Sequence, residues 1–304
     1  MEIYYQDTDI TSEVQTKNCI VNDTVNRCDG LLLEFENAAS WYAWGPQEDD
    51  RIRVLHNGYD SGEMYISRIL PEDGVYRILA TSLPCTARVK GNRSFYNQTV
   101  EAVMRQCAMA SGAGYQIFGI DQNMKTPYIE QSNEEKAAFL ARLLTLEGAV
   151  LKCVNGKYTA IGIQYAQDRS PAQTMKLTAN QEGMTYQRSG LTYRSAKVRT
   201  PYASAGATDQ AVLETGMLLT GSNLPAMNDI QAARWARNLL LDRNRKSETV
   251  TVQSSFNSAC TAMQRIDIEG NTDATGEWLI QNVEHDLVNL KTTATLYRCR
   301  YSII

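Results

Sequence analysis

Near the start of the chain, apolar and polar residues alternate with the two-residue period of a half-buried strand. Leu31, Leu33 and Phe35 fall on one face, opposite Leu32, Glu34 and Glu36. Arg51-Ile52-Arg53-Val54-Leu55 and Met64-Tyr65-Ile66 repeat that alternation, and Asn57-Gly58 and Asp73-Gly74 read as turns between such runs. The period then changes. From Ser94 onward the apolar set Val100, Val103, Met104, Cys107 and Ala108 keeps the spacing of one helix face, and Gly112 can close that helix in a left-handed cap. A second helix is expected to open on a capping box at Ser132-Asn133-Glu134-Glu135, to bury Phe139, Leu140, Leu143 and Leu144, and to end at Gly148. Val150 to Val154 and Lys157 to Ile163 flank Asn155-Gly156, a two-residue hairpin signal.

Strands resume near Met184, with Leu191-Thr192-Tyr193 and Ala196-Lys197-Val198. Pro201 to Asn228 is rich in Ala, Ser, Thr and Gly and reads as an extended loop. A third helix is predicted from Asn228 or Asp229, with Ala232, Trp235, Ala236, Leu239 and Leu240 on one face. Its end carries Arg243, Arg245 and Lys246, which suit the negative end of the helix dipole and read as a solvated terminus.

The two β-rich ends match each other. Arg51-Ile52-Arg53-Val54 precedes Gly62 and the strand through Ile66, while Arg265-Ile266-Asp267-Ile268 precedes Gly276 and the strand through Ile280. Gly-Glu and Arg-Ile are shared, and no gap separates the paired positions. A leading glycine permits a bulge or a tight turn into the strand. Two copies are too few for a solenoid, so the pattern implies a duplicated β-domain with an α/β insert. The expected fold is α+β and β-rich, with domains over 1–88, 89–168 and 169–304.

At 43% hydrophobic and 21% charged residues, the chain can bury a core, and its net charge of −4 argues against sequence-specific nucleic-acid binding. No apolar run reaches the roughly 18 residues of a membrane span, and the acidic first residues lack a secretory h-region. Synthesis in a cytoplasm without a membrane anchor is expected. The seven cysteines show no C-x-x-C spacing and read as reduced, mostly buried thiols. Neither His56 nor His285 has another ligand at metal spacing, and His285 reads as a hydrogen-bonded structural residue. Phosphate-binding, dinucleotide and nucleophile-elbow motifs are missing. No catalytic residue, cofactor or metal is therefore assigned.

Three segments carry a family resemblance. Trp44-Gly45-Pro46 leads to Asp50-Arg51-Ile52-Arg53-Val54 and Gly62; Arg93-Ser94-Phe95 leads through Thr99-Val100 and Ala108 to Gly114-Tyr115; Gly276 to His285 is followed by Thr293-Ala294-Thr295-Leu296. Together they resemble the phage late control D proteins, the baseplate hub proteins of contractile tails and related injection particles. Asp49 departs from the pattern, since many relatives carry Gly there. The resemblance implies a homotrimer in which each chain contributes two tail-tube-like β-barrel domains. Such a trimer would adapt a hexameric tail tube, or a tube-initiator protein, to a trimeric spike among other baseplate proteins. In that reading Arg51, Ile52, Arg53, Val54, Gly62, Ile66, Arg265, Ile266, Asp267, Ile268, Gly276 and Ile280 belong to repeat strands that pair between subunits. With the last repeat strand followed directly by Ile304, no fused wall-degrading domain is expected. The alternatives are a monomeric β-rich module binding cell-surface glycan or protein through its sixteen tyrosines and four tryptophans, and, further off, a cell-wall hydrolase.

Overall fold

The computed structural model describes residues 1–36, 39–72, 74–176, 182–214, 216–221, 224–270 and 272–304. In its first part, strands β1 (Glu2–Tyr5), β2 (Thr8–Asp9), β3 (Thr16–Thr24) and β4 (Gly30–Phe35) precede a short helix α1 (Ala39–Trp44). Strands β5 (Arg51–His56), β6 (Tyr59–Asp60), β7 (Met64–Glu72) and β8 (Val75–Thr81) follow. Alternation sets the faces as expected: Leu31, Leu33, Phe35, Ile52, Val54, Met64 and Ile66 are all buried. They form one core with Ile3, Val21 and Ile78, closed by Trp41, whose ring stacks on Tyr76 at 5.8 Å. Asn57 and Gly58 take positive φ angles of 47° and 80°, which makes the two-residue turn into β6. Asp73 lies outside the described residues.

The middle of the chain is α2 (Cys85–Arg88), β9 (Lys90–Thr99), α3 (Val100–Ser111), β10 (Gly114–Phe118), β11 (Lys125–Glu135), α4 (Lys136–Leu146), β12 (Ala149–Val154), β13 (Lys157–Gly162) and α5 (Ile163–Asp168). Ser94 to Thr99 are strand rather than helix, paired antiparallel with β11. Helix α3 begins one residue after Thr99, whose hydroxyl accepts the Ala102 N–H, and Gly112 closes it at φ 66°. The expected capping box does not form. Asn133 turns left-handed at φ 49° and donates its N–H to Asn92 Oδ1 at 2.8 Å, so Glu134 and Glu135 stay on the β11 ladder. Helix α4 therefore starts at Lys136 without a side-chain cap. Phe95 and Phe139 stack at 5.2 Å inside a separate core that also holds Val103, Leu140, Leu143 and Leu144. Asn155-Gly156 joins β12 to β13 with φ angles of 49° and 68°.

The last part holds β14 (Gln173–Lys176), β15 (Met184–Arg188), β16 (Tyr193–Arg199), β17 (Ser204–Thr208), β18 (Met217–Gly221), α6 (Asp229–Arg245), β19 (Glu248–Ser255), β20 (Arg265–Glu269), β21 (Gly276–Asp286) and β22 (Lys291–Arg298). Of the expected Leu191–Tyr193 strand only Tyr193 belongs to one. The stretch Pro201–Asn228 is not a plain loop, because β17 and β18 flank β16 within it. Its small residues serve packing: Ala203, Ala207 and Ala226, with Ala196 of β16, let this sheet approach Ala232, Trp235 and Ala236 of α6 closely. Asn228 caps α6 through its side chain, which accepts the Gln231 N–H at 2.9 Å. The basic terminus is only partly solvated. Arg243 and Lys246 are exposed, but Arg245 is buried, with its guanidinium over the Tyr297 ring and 3.2 Å from Asp242.

A fourteen-stranded sheet joins the two β-rich ends in the order β15-β19-β22-β21-β3-β4-β8-β7-β5-β1-β2, with β6, β14 and β20 attached at its sides. The architecture is thus α+β and β-rich, and the same strand order occurs twice. β3-β4-β8-β7-β5 corresponds to β15-β19-β22-β21-β20, each set around its own core.

Candidate functional site

The repeated residues occupy equivalent places down to the register. Arg51 faces Tyr65 and Ile52 faces Met64; in the second unit Arg265 faces Leu279 and Ile266 faces Trp278. A bulge follows between Ile66 and Arg68, and again between Ile280 and Asn282. The turns before these strands agree as well. Asp49 donates its N–H to Ile66 O at 2.9 Å and Met263 to Ile280 O at 2.8 Å, both with φ of 69°. A positive φ of this kind is the conformation that glycine adopts without steric cost. Arg51 pairs with Glu63 at 3.4 Å, and Arg265 with Glu277 at 2.7 Å. Gly62 and Gly276 both have positive φ, and a Cβ on Gly276 would meet Arg298 Nη1 at 2.4 Å.

Arg53 binds Asp60 and Asp267 binds Arg265, while Ile52, Val54, Ile66, Ile266, Ile268 and Ile280 fill the cores. Both sides of β5 and β20 are occupied within the chain, β5 by β7 and β1 and β20 by β21 and β14. The strands singled out from sequence thus build the two units, and β5 and β20 leave no edge open among the described residues.

The joint between the units lies further along the same strands. Beyond its bulge β21 runs beside β3, with Asn282 opposite Thr24, Val283 opposite Asp23 and His285 opposite Val21. Leu287 N–H donates to Cys19 O at 2.9 Å, so the alternate residues Val283 and His285 also turn their backbone groups toward β3. The equivalent stretch of the first unit, Arg68 to Glu72 of β7, has β8 on one side and no described strand on the other. The strand equivalent to β3 is β15, which ends the sheet. Ser189 N–H donates to Ser247 O and Gln253 N–H to Gly183 O, so Met184, Tyr186 and Arg188 turn their backbone groups outward. One molecule therefore contains one joint between units, and among the described residues the strands equivalent to its two sides, β7 and β15, each have an edge without a partner strand. Periodicity alone did not mark these edges; extending the repeat past Ile66 to Arg68–Glu72 is the signal that finds half of them.

A buried polar junction holds the units and the middle part together. The Lys152 ammonium of β12 binds Asp23 Oδ1 and lies 3.1 Å from Asp29 Oδ2. Asp23 Oδ2 also accepts the Ala262 N–H of the second unit at 3.1 Å. Burial pushes the Asp29 carboxyl up to about 7 despite the ammonium beside it. His285 is fully buried nearby, bonded through Nδ1 to Thr292 Oγ1 and through Nε2 to Cys260 O, as a structural histidine would be. Burial holds it below its ordinary pKa. Its neutral form is favoured in the fold, so its contribution is complete above about pH 6.5 and is lost on acidification through the lower folded value. We expect the unfolding free energy to drop below pH 6.5 by up to about 1.4 kcal/mol per pH unit for this proton. Denaturant titrations of the wild type and His285→Gln at pH 8 and 5.5 check it, since the variant should lose that slope.

Among the described residues no three His, Cys, Asp or Glu side chains gather as a metal site, and no helix is long and apolar enough to cross a membrane. All seven cysteines are free thiols, four of them buried.

No family model and no curated protein matches this chain in sequence. Solved structures do match it in shape. The 43 kDa tail protein of prophage MuSo2 from Shewanella oneidensis superposes with a TM-score of 0.74 at 13% identity, over 98% of this chain and 97% of that one. A tail protein from Neisseria meningitidis gives 0.75 at 10% identity, over 98% and 95%. The Escherichia coli protein c3393 is described as a component of the type VI secretion system, similar to the T4 bacteriophage tail proteins gp27 and gp5. It gives 0.67 at 13% identity, over 99% and 77%. The chain shares the fold of these phage-tail and type VI secretion proteins.

Proposed function

We propose that this chain is a structural, non-catalytic baseplate hub of the late control D type, in a phage tail or tail-like injection particle. In this reading it is a homotrimer that adapts a hexameric tail tube to a trimeric spike. The observation that carries the proposal is the intrachain joint with its two unpaired counterparts. If β7 of one copy meets β15 of the next as β21 meets β3, Ile69 faces Arg188 and Pro71 faces Tyr186. The outward backbone groups then coincide on both strands. Such a contact is heterologous, because each copy gives one edge and receives the other, and it must close into a ring or propagate. Three chains with two units each present six similar units on the shared strands, while the middle part, 89–168, occurs only three times. Six-fold and three-fold partners can thus be served by one ring. The domain division 1–88, 89–168 and 169–304 belongs to the same proposal.

Light scattering over a concentration series, with and without a candidate spike protein, tests it. The wild type is expected to reach trimer mass. Arg188→Pro, which removes an outward donor and leaves the β19 ladder intact, is expected to weaken trimer formation at least about tenfold with little change in unfolding free energy. A wild type that stays monomeric under every condition, or a variant that assembles as well as the wild type, overturns the proposal.

A further inference from the structure

Cys28 lies in the turn from β3 to β4, directly beside Cys153 of β12 as its parallel bridge partner. The backbone is fixed around both. Asn26 N–H donates to Leu151 O at 2.6 Å, Asn26 Oδ1 accepts the Leu151 N–H at 3.0 Å, and Asp29 N–H reaches Cys153 O at 3.3 Å. Bridge partners on adjacent strands sit roughly 5 Å apart with side chains on one side, inside the Cα separation of about 4.4–6.8 Å that a disulfide spans. Cys28 is half-buried and Cys153 fully buried, so a reagent reaches the pair from the Cys28 side.

We propose that Cys28 and Cys153 are a redox-modification site that closes to a disulfide when the chain meets a low-molecular-weight disulfide oxidant. The Cys28 thiolate attacks one sulfur of the oxidant, forming a mixed disulfide and releasing one small thiolate. The Cys153 thiolate then attacks the Cys28 sulfur and releases the second. One disulfide is consumed, one is formed, and both protein thiol protons pass to the released thiols. The bond would tie the first β-unit to the middle part across 126 residues of chain, next to the Lys152 junction. In a reducing compartment the pair stays open; in an oxidising one it locks. Contact with Cys28, then burial, raises the Cys153 thiol above its ordinary range, so closure is slow at neutral pH and faster as pH rises.

The probe is oxidised glutathione, applied to the folded full-length chain, with thiol counting and peptide mapping by mass spectrometry. The expected result is a fall from the seven cysteine thiols to five, with Cys28 linked to Cys153. A rise in Tm of roughly 5–10 °C, reversed by dithiothreitol, should accompany it. Cys28→Ser should show neither the link nor the rise. Glutathione retained on Cys28 without linkage, or seven thiols surviving prolonged exposure at pH 9, overturns the proposal. The readout is the same for a monomer or a ring, so its failure is separate from failure of the hub reading.

Discussion

Replacing Lys152 with Met is expected to cost about 3–5 kcal/mol of folding stability, a penalty that shrinks as pH is lowered. The cause is not the lost attraction itself. Asp23 and Asp29 are both buried, and without the ammonium two carboxylates would face each other in a dry junction. At neutral pH at least one must take up a proton or drag in water. Below the ordinary carboxylate range the unfolded chain is protonated as well, and the difference fades. Denaturant unfolding of Lys152→Met at pH 7.5 and pH 5 measures this directly. Adding Asp23→Asn and Asp29→Asn should recover most of the loss, since a neutral junction has no unpaired charge to solvate. An equal penalty at both pH values would mean that packing of the lysine stem dominates instead.

Trp235→Ala should be comparably severe, at about 3–5 kcal/mol, with Tm lowered by roughly 10 °C. Trp235 is fully buried where α6 meets the small-residue sheet, and its indole N–H donates to Glu147 Oε1 at 2.9 Å. Glu147 also binds Arg234 Nε at 2.7 Å, so the carboxylate anchors α6 to the end of α4 at two points. Truncation leaves a cavity and removes one of those points. Trp235→Phe keeps most of the volume and should lose only about 1–2 kcal/mol. Thermal unfolding of the two variants side by side separates cavity from hydrogen bond.

Much of the fold was legible because local pattern and burial agree. Leu31, Leu33 and Phe35, the Asn155-Gly156 hairpin and the α6 stripe all lie where their periods put them. The readings that failed did so where a longer-range contact decided. Asn133 adopts a left-handed turn against Asn92, so a sequence with the pattern of a capping box ends a strand. The alanines and glycines of 201–228 look like loop until a helix is laid over them. Arg245 was expected in water but is covered by the Tyr297 ring. As for the candidate site, the repeat marked strands whose first residues are paired within the chain, while the proposed contact uses the later part of β7 and the outer edge of β15. An edge is defined by what is absent beside it, and no single segment records that. The Asp23–Asp29–Lys152 cluster joins residues far apart in the chain, so its charges look like ordinary surface charges in sequence.

Pro71 has a further consequence. It stands where His285 stands in the intrachain joint, and it has no N–H to offer a neighbouring strand. A single contact made through that edge lacks one hydrogen bond, and a growing row of copies would shed its end member readily. In the proposed ring the copy that closes it would be held differently, gripped on both flanks, with its second contact forming at an effective concentration of roughly millimolar order. In the proposed ring every contact would carry the same notch, but an open row would hold its end copy by one weakened contact and a closed circle holds each copy by two, so the proline would work against filaments accumulating before rings do.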